Sequence, residues 1–258
     1  ADLVGMTRAL ICDPELPNKA REGRLDDIRA CIACMEGCEG RIHRGLPMSC
    51  MQNPVTGREK EWAEIQPAQT PKKVVVVGGG PAGMEAARVA ALRGHSVTLL
   101  EKQDHLGGQI SIAAKAPFRD EFAQIARSLS RQLDKAGVEV KLGVNATPDS
   151  ILALKPDAVI VATGSTPLVP TIPGADSQNV LSDWDVLLET APVGQNVVIA
   201  DEEHHIHGLS VAEFLADRGK KVQILTGMHY VGTDVEPKTW RFLYQRLLEK
   251  GVVPLPHT

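Results

Sequence analysis

Four cysteines carry the strongest chemical signal in the sequence. Cys31, Cys34 and Cys38 lie within eight residues, and Cys50 follows twelve positions after Cys38. Four thiolates of this kind can bind a 4Fe-4S cluster. Two alternatives stay open, because four cysteines also bind structural zinc and cysteines of secreted domains form disulfides. Structural zinc commonly takes its cysteines as two separated pairs, so the division into three plus one favours the iron-sulfur cluster and electron transfer.

A glycine-rich turn carries the second signal. It predicts that the chain binds an adenine dinucleotide. The run Gly78-Gly79-Gly80-Pro81-Ala82-Gly83 follows an apolar strand predicted over residues 73–77 and precedes a helical pattern over residues 84–93. In this position Gly78 permits a tight turn, Gly80 lets a pyrophosphate approach the backbone, and Gly83 allows close packing of helix and strand. Pro81 and Ala82 complete the turn at the helix N-terminus, where phosphates bind.

An acidic residue supports this interpretation. Glu101 ends a second predicted strand over residues 96–100, eighteen positions after Gly83. A carboxylate placed there accepts hydrogen bonds from the adenosine ribose hydroxyls. We therefore expect residues 71–195 to form an FAD- or ADP-binding domain of doubly wound α/β architecture.

The strand-helix-strand pattern restarts at Asn196 and predicts a second dinucleotide-type unit over residues 196–258. Its glycine fingerprint is missing. The turn instead carries three acids and three histidines before Gly208. These residues are Asp201, Glu202, Glu203, His204, His205 and His207. Like charges about 4 Å apart repel by ~1 kcal/mol in water and up to ~4 kcal/mol near a protein surface. We expect a degenerate unit that does not bind NAD(P)H, and an exposed polar loop rather than a metal site at the histidines.

Composition narrows the function classes. The 258 residues are 43% hydrophobic and 23% charged, which is typical of a globular protein with room for two domains. A net charge of -4 without a basic stripe argues against a nucleic-acid partner. No apolar run approaches the ~20 residues of a membrane helix, and the absence of a basic segment followed by an apolar stretch at residue 1 leads us to expect no secretory signal. Five cysteines suit a reducing cytoplasm, with Cys12 expected to be a buried, inert thiol.

The order of these motifs resembles that of the trimethylamine dehydrogenase and 2,4-dienoyl-CoA reductase family. The resemblance runs from residues 1–14 through Arg24–Cys31, the cysteines and the glycine fingerprint, and covers essentially the whole chain. It implies that residues 1–30 are the end of an FMN-binding (β/α)8 barrel, beginning with a strand over residues 1–6, and that residues 31–70 form an iron-sulfur segment and linker. It also implies that the rest of the barrel, with the substrate site, lies outside this C-terminal portion.

Individual contacts follow from the same resemblance. Arg8 would bind the FMN phosphate, Gly108, Gln109 and Arg119 would contact FAD, and the turn at Thr163 and Gly164 would close the FAD domain. From the residues alone, Arg8 and Arg119 equally fit solvated charges and Gln109 fits an ordinary turn residue.

The missing second fingerprint separates two branches of this family. Dienoyl-CoA reductases take electrons from NADPH, whereas the amine dehydrogenases and demethylases carry a degenerate fingerprint and pass electrons to a flavoprotein. The chain resembles the second branch. This implies oxidation of an N-methylated amine at FMN, a 4Fe-4S relay, an electron-transfer flavoprotein or similar acceptor, ADP rather than FAD at the first fingerprint, and a homo-oligomer. Two alternatives stay open: an NAD(P)H-dependent dienoyl-CoA or enoate reductase, and a non-catalytic nucleotide-binding electron-transfer module.

Overall fold

A computed structural model of the chain describes residues 2–258 and shows mixed α/β architecture with two parallel sheets. The chain divides into two compact units. Unit 1 comprises residues 2–111 and 121–165, and unit 2 comprises residues 112–120 and 166–258. The expected α/β class is confirmed. None of the helices in the described part of the chain is both long and apolar enough to cross a membrane.

The first part of unit 1 consists of loops and short helices. These helices are α1 (Arg8–Cys12), α2 (Leu16–Arg21), α3 (Glu39–His43) and α4 (Glu59–Trp62), with a 3-10 turn at Leu25–Asp27. The strand expected over residues 1–6 is wrong for residues 2–6, which pair with no strand of the described chain, while Ala1 lies outside the described residues. An extended segment needs a neighbouring strand to satisfy its backbone hydrogen bonds.

The second part of unit 1 is a four-stranded parallel sheet in the order β3-β2-β1-β4. The strands are β1 (Lys73–Val77), β2 (Ser96–Leu100), β3 (Glu139–Lys141) and β4 (Ala158–Val161). The helices after β1 are α5 (Pro81–Leu92), α6 (Gln109–Ala113), α7 (Ala123–Lys135), which follows a 3-10 turn at Asp120–Phe122, and α8 (Pro148–Ala153). Met84, Leu99 and Leu133 are fully buried in one core formed by α5, β2 and α7.

Register brings three strand ends of this sheet together. Val77 pairs with Leu100 on one side and with Val161 on the other, and all three strands run in parallel. The turn after β1, the residue after β2 and the turn after β4 therefore lie at the same edge of the sheet, where ligands of open α/β sheets bind.

Unit 2 repeats this pattern on a smaller scale. Its parallel strands are β5 (Asn196–Ala200), β6 (Lys221–Thr226) and β7 (Val253–Pro256), in the order β5-β6-β7. Its helices are α9 (Asp183–Leu187), α10 (Ile206–Ala216) and α11 (Pro237–Glu249). Helix α10 is buried from Leu209 to Leu215 because it packs against β5, β6, α9 and α11. Leu209, Leu215, Ile224 and Leu247 form the centre of this core.

A buried carboxylate links two helices of unit 2. Glu213 on α10 is 1% exposed and accepts hydrogen bonds from Nε and Nη2 of Arg246, at 2.7 and 3.0 Å, and from Nζ of Lys250, at 2.9 Å. A buried charge is tolerated when it is paired in this way. These bonds join α10 to α11.

Candidate functional site

The four cysteines predicted as cluster ligands line one cavity in unit 1. All four are partly exposed and free of disulfides. The other residues of this cavity are Arg8, Ile11, Cys12, Ile32, Met35, Gly37, Met51 and Gln52. No three His, Cys, Asp or Glu side chains among residues 2–258 lie close enough together to bind a single metal ion. Four cysteine side chains around one cavity fit the ligand set of a 4Fe-4S cluster, in which each iron takes its own thiolate.

The loop that carries three of these cysteines has an unusual backbone. Ala33 and Met35, on either side of Cys34, adopt left-handed conformations with φ of 52° and 58°. A non-glycine residue in this region costs ~1–3 kcal/mol and is retained where its surroundings fix it. The amide of Gly40 donates to the carbonyl of Met35 at 2.8 Å. These turns direct the loop around the cavity.

A second backbone hydrogen bond joins this loop to the segment before the fourth cysteine. The amide of Ser49 donates to the carbonyl of Gly37 at 2.7 Å, and a Cβ on Gly37 would lie only 2.9 Å from the carbonyl oxygen of Ser49. Glycine is therefore required at position 37 by close backbone packing. This contact holds Cys38 and Cys50 on neighbouring segments.

Cys12 also belongs to this cavity, a contact that the sequence did not predict. Its side chain is fully buried and lines the same cavity as Cys50. The Cys12 thiol beside it, with the amides of Gln52 and Asn53, lowers the pKa of the Cys50 thiol to about 6 against the opposing effect of burial. The neighbouring Cys50 thiol and burial raise the pKa of Cys12.

The glycine turn lies at the predicted place, between β1 and α5. A Cβ on Gly78, whose φ is 110°, would lie 2.2 Å from the carbonyl oxygen of Ala162, and one on Gly83 would lie 1.9 Å from the carbonyl oxygen of Gly78. Both positions therefore exclude any side chain. Gly80 differs, because nothing lies within 4 Å of its Cβ position. The backbone at the start of α5 is therefore open on the side where a pyrophosphate would approach.

Glu101 lies beside this turn at the end of β2. It is 6% exposed, and its carboxylate accepts hydrogen bonds from the amides of Gly79, at 2.5 Å, and Gln103, at 2.8 Å. The two amides fix the orientation of the carboxylate. This is the geometry expected for an acid that binds the adenosine ribose.

Two further predicted contacts lie close to the turn. A Cβ atom on Gly108 would lie 3.1 Å from the Cα atom of Gly80, so Gly108 packs closely against Gly80. The side-chain amide of Gln109 donates to the carbonyl oxygen and the hydroxyl of Ser165, at 3.0 and 2.9 Å, directly after the turn at Thr163 and Gly164. These residues and the glycine turn thus lie within unit 1. Arg119 belongs to unit 2, and the structure does not group it with them.

In unit 2, Asp201 lies at the position that Gly78 holds in unit 1, directly after the first strand. It directly follows β5, and its carboxylate is 5% exposed. Oδ1 accepts a hydrogen bond from the amide of His204 at 3.2 Å, whereas Oδ2 has no hydrogen-bond partner among the described residues. A Cβ on Gly208, in the first turn of α10, would lie 3.1 Å from Oδ1. Burial raises the pKa of this carboxyl. Asp201 therefore occupies space beside the helix start that a pyrophosphate would need.

The other polar residues of this loop are arranged differently from expectation. Glu202 and Glu203 are exposed, and Oε2 of Glu203 pairs with Nδ1 of His207 at 2.6 Å. The obstruction beside α10 thus comes from Asp201 rather than from three carboxylates together. The expected exposure of the histidines is correct for His207 but wrong for His204 and His205, which are both half-buried. Nδ1 of His204 lies 3.3 Å from Oγ1 of Thr226.

Comparison with known proteins agrees with these two dinucleotide-type units. Residues 72–257 match the model of the pyridine nucleotide-disulphide oxidoreductase family. The chain belongs to this family. Its family is one of flavin-dependent oxidoreductases, and the match supports an FAD-type nucleotide site of the kind built by Gly78, Gly80, Gly83 and Glu101.

Two curated relatives and one solved structure are similar over nearly the whole chain. The NADH oxidase of Thermoanaerobacter brockii is 44% identical, and the N,N-dimethylglycine/sarcosine dehydrogenase of Chromohalobacter salexigens is 45% identical, each over 98% of the chain. The chain spans 39% and 38% of their respective lengths. A 2-naphthoyl-CoA reductase structure is 37% identical with a TM-score of 0.93, over 99% of this chain and 39% of that one. These similarities confirm the resemblance to the trimethylamine dehydrogenase and 2,4-dienoyl-CoA reductase family.

Replacement of Gly80 should separate nucleotide binding from folding. We expect Gly80→Ala to weaken adenine-nucleotide binding by at least ~10-fold, about 1.4 kcal/mol, because its methyl group enters the open space beside α5. Its φ of -74° suits alanine, so the urea denaturation midpoint without nucleotide should change little. Titration calorimetry with ADP and FAD measures the affinity.

Gly83→Ala provides the matched control. Its methyl group would meet the carbonyl oxygen of Gly78 at 1.9 Å, so this variant should lose stability by ~1–3 kcal/mol even without nucleotide. Wild-type affinity in Gly80→Ala would contradict the predicted approach of a pyrophosphate to this turn.

Removal of Asp201 should open the degenerate site. We expect the double variant Asp201→Gly with Glu203→Gly to bind NADH at least ~10-fold more tightly than the wild type, because both the buried side chain and the negative charge are removed. Fluorescence titration of NADH measures the change. The control variant Asp201→Asn with Glu203→Gln removes charge but keeps both side chains, so it should gain less. No gain in either variant would show that this loop is not the obstacle.

Proposed function

We propose that the complete protein is an amine dehydrogenase or demethylase that oxidises an N-methylated amine and passes the electrons outward through residues of this chain. The observation that carries the proposal is the position of Asp201, whose buried carboxylate occupies the nucleotide-facing side of α10. A site closed in this way does not accept NAD(P)H, so the reducing equivalents must come from the substrate. The similarity to N,N-dimethylglycine/sarcosine dehydrogenase supports this direction of electron flow.

The cysteine cavity is proposed to hold the electron relay. Cys31, Cys34, Cys38 and Cys50 supply four thiolates around one cavity, which fits a 4Fe-4S cluster. Such a cluster supplies one-electron transfer, and the protein contributes its position and the hydrogen bonds to its sulfurs. Arg8 lines the same cavity and is the proposed partner of an FMN phosphate, which a guanidinium binds through paired hydrogen bonds. An electron-transfer flavoprotein or similar carrier is the proposed acceptor.

The glycine turn of unit 1 is proposed to bind ADP. Its open backbone at Gly80 and the oriented carboxylate of Glu101 fit the ADP part of either ADP or FAD. If NAD(P)H does not bind in unit 2, FAD at the glycine turn of unit 1 would have no electrons to relay. This favours ADP over FAD at that turn. Bound ADP then stabilises the folded protein by mass action rather than taking part in the redox reaction.

A second candidate function is an NAD(P)H-dependent reductase of unsaturated compounds. The similarity to an NADH oxidase and to a 2-naphthoyl-CoA reductase favours it. This function requires FAD in unit 1 and entry of the nicotinamide cofactor past Asp201. The two candidates therefore differ in both the nucleotide and the electron donor.

Reduction of the complete protein distinguishes them. We expect anaerobic addition of an N-methylated amine such as sarcosine or dimethylamine to bleach the flavin absorbance and produce the electron paramagnetic resonance signal of a reduced cluster. NADH and NADPH should reduce it at least ~100-fold more slowly, a difference of about 2.7 kcal/mol in activation free energy. Mass spectrometry of the released nucleotides should find ADP beside FMN. Rapid reduction by NADPH with release of FAD would instead establish the reductase, and no reduction by any donor would leave an electron-transfer module.

Replacement of one proposed ligand tests the relay. Cys34→Ser should reduce bound iron and acid-labile sulfide to near background, and amine-dependent reduction of an external acceptor should fall at least ~100-fold, about 2.7 kcal/mol. Adenine-nucleotide content should remain unchanged, because the glycine turn does not depend on the cysteine loop. Loss of iron and nucleotide together would contradict this separation.

A further inference from the structure

The first two strands of each unit pair in the same register. In unit 1, Val77 at the end of β1 pairs with Leu100 of β2, and the amide of the residue after Val77 donates to the carbonyl oxygen of Leu100 at 2.8 Å. In unit 2, Ala200 at the end of β5 pairs with Leu225 of β6, and the amide of the residue after Ala200 donates to the carbonyl oxygen of Leu225 at 2.9 Å. The residue that follows Leu225 therefore corresponds to the residue that follows Leu100.

This correspondence places Thr226 in unit 2 where unit 1 has Glu101. The carboxylate of Glu101 accepts hydrogen bonds from the amide two residues later, at 2.8 Å, and from the amide of Gly79 in the glycine turn, at 2.5 Å. Oγ1 of Thr226 likewise accepts a hydrogen bond from the amide two residues later, that of Met228, at 3.3 Å. Thr226 is 2% exposed and carries no charge. Unit 2 thus lacks the carboxylate that a dinucleotide-binding unit uses to bind the adenosine ribose.

His204 lies against the same position from the turn after β5. Its Nδ1 is within hydrogen-bonding distance of Oγ1 of Thr226, at 3.3 Å. The backbone of His204 is bonded on both sides, because its amide donates to Oδ1 of Asp201 at 3.2 Å and its carbonyl oxygen accepts from the amide of Asp234 at 2.9 Å. Its φ of 61° is a left-handed conformation, which a non-glycine residue keeps where its surroundings fix it. The imidazole therefore contacts the side chain that a ribose would otherwise meet.

Unit 2 thus differs from unit 1 at two separate parts of a dinucleotide. Asp201 lies beside the helix start, where a pyrophosphate would bind, whereas His204 and Thr226 lie at the end of β6, where the adenosine ribose would bind. We propose that His204 and Thr226 close the ribose position of unit 2, and that the residue at position 226 determines whether this unit recognises the adenosine of NADH. This inference rests on the part of the proposed function in which unit 2 excludes NAD(P)H.

Variants of the complete protein that already carry Asp201→Gly and Glu203→Gly test this proposal. Adding His204→Gly and Thr226→Glu removes the ring and supplies a carboxylate where unit 1 has Glu101, so NADH should bind at least ~10-fold more tightly than in the parent double variant. NADPH should gain less, because its 2′-phosphate would face that carboxylate. Fluorescence titration measures both affinities. Glycine suits the φ of 61° at position 204, so His204→Gly should not lower the urea denaturation midpoint.

Glutamine at position 226 provides the matched control. Thr226→Gln with His204→Gly adds a side chain of nearly the same size as glutamate but without its charge, so it should gain less affinity and show no preference for NADH over NADPH. Equal gains in the glutamate and glutamine variants would overturn recognition at position 226. His204→Gly added alone leaves the buried Thr226 unchanged, and no gain in NADH affinity from it would overturn the closure by the ring.

The wild type tests the proposed function separately. Tight binding of NADPH to the wild type would refute the exclusion of NAD(P)H and the closure together. Absence of NADH and NADPH binding in the wild type, with no gain from any change at positions 204 and 226, would refute the closure alone.

Discussion

The nucleotide site of unit 1 depends on how closely its backbone segments approach one another. The turn after β1 passes so near the end of β4 that the Cβ position of Gly78 would lie 2.2 Å from a carbonyl oxygen, and the first turn of α5 passes equally near Gly78 itself. This packing places the helix N-terminus at the edge of the sheet where Glu101 and Gly108 also lie. A phosphate can then meet backbone amides rather than side chains. The open position at Gly80 is therefore a consequence of the closed positions at Gly78 and Gly83.

Unit 2 has the same order of strand, turn and helix, but its turn carries a carboxylate where the turn of unit 1 carries glycine. Asp201 follows β5 as Gly78 follows β1, and its carboxylate lies against the helix start instead of leaving it open. Only one oxygen of that carboxylate has a hydrogen-bond partner among residues 2–258, and burial disfavours its charge. Unit 2 thus keeps the fold of a dinucleotide-binding unit but lacks the open turn that such a unit needs to bind a pyrophosphate. The apolar core around α10 holds this unit together.

The features that the sequence predicted well are those encoded by local patterns. The strand, glycine turn and helix of unit 1 follow one another within twenty residues of the chain, and Glu101 comes eighteen positions after Gly83, so spacing alone located Gly78, Gly80, Gly83 and Glu101. The position of Cys12 in the cysteine cavity was not predictable, because Asn53, Thr56 and Asp13 hold distant segments together beside it. The buried carboxylate of Glu213 was missed for a similar reason, since its partners lie 33 and 37 positions away. The expected strand is wrong for residues 2–6 because a strand is defined by a partner that the sequence pattern does not contain.

The left-handed residues Ala33 and Met35 would have a consequence for the speed of electron transfer at the proposed cluster. The carbonyl of Met35 accepts a hydrogen bond from the amide of Gly40, which restrains this part of the loop through its backbone. A loop restrained in this way would shift little if the charge of the proposed cluster changed by one electron. Groups that are already oriented need no rearrangement at the moment of reaction. The backbone around Cys34 would therefore favour a small reorganisation energy at that cluster, and with it rapid passage of single electrons in either direction.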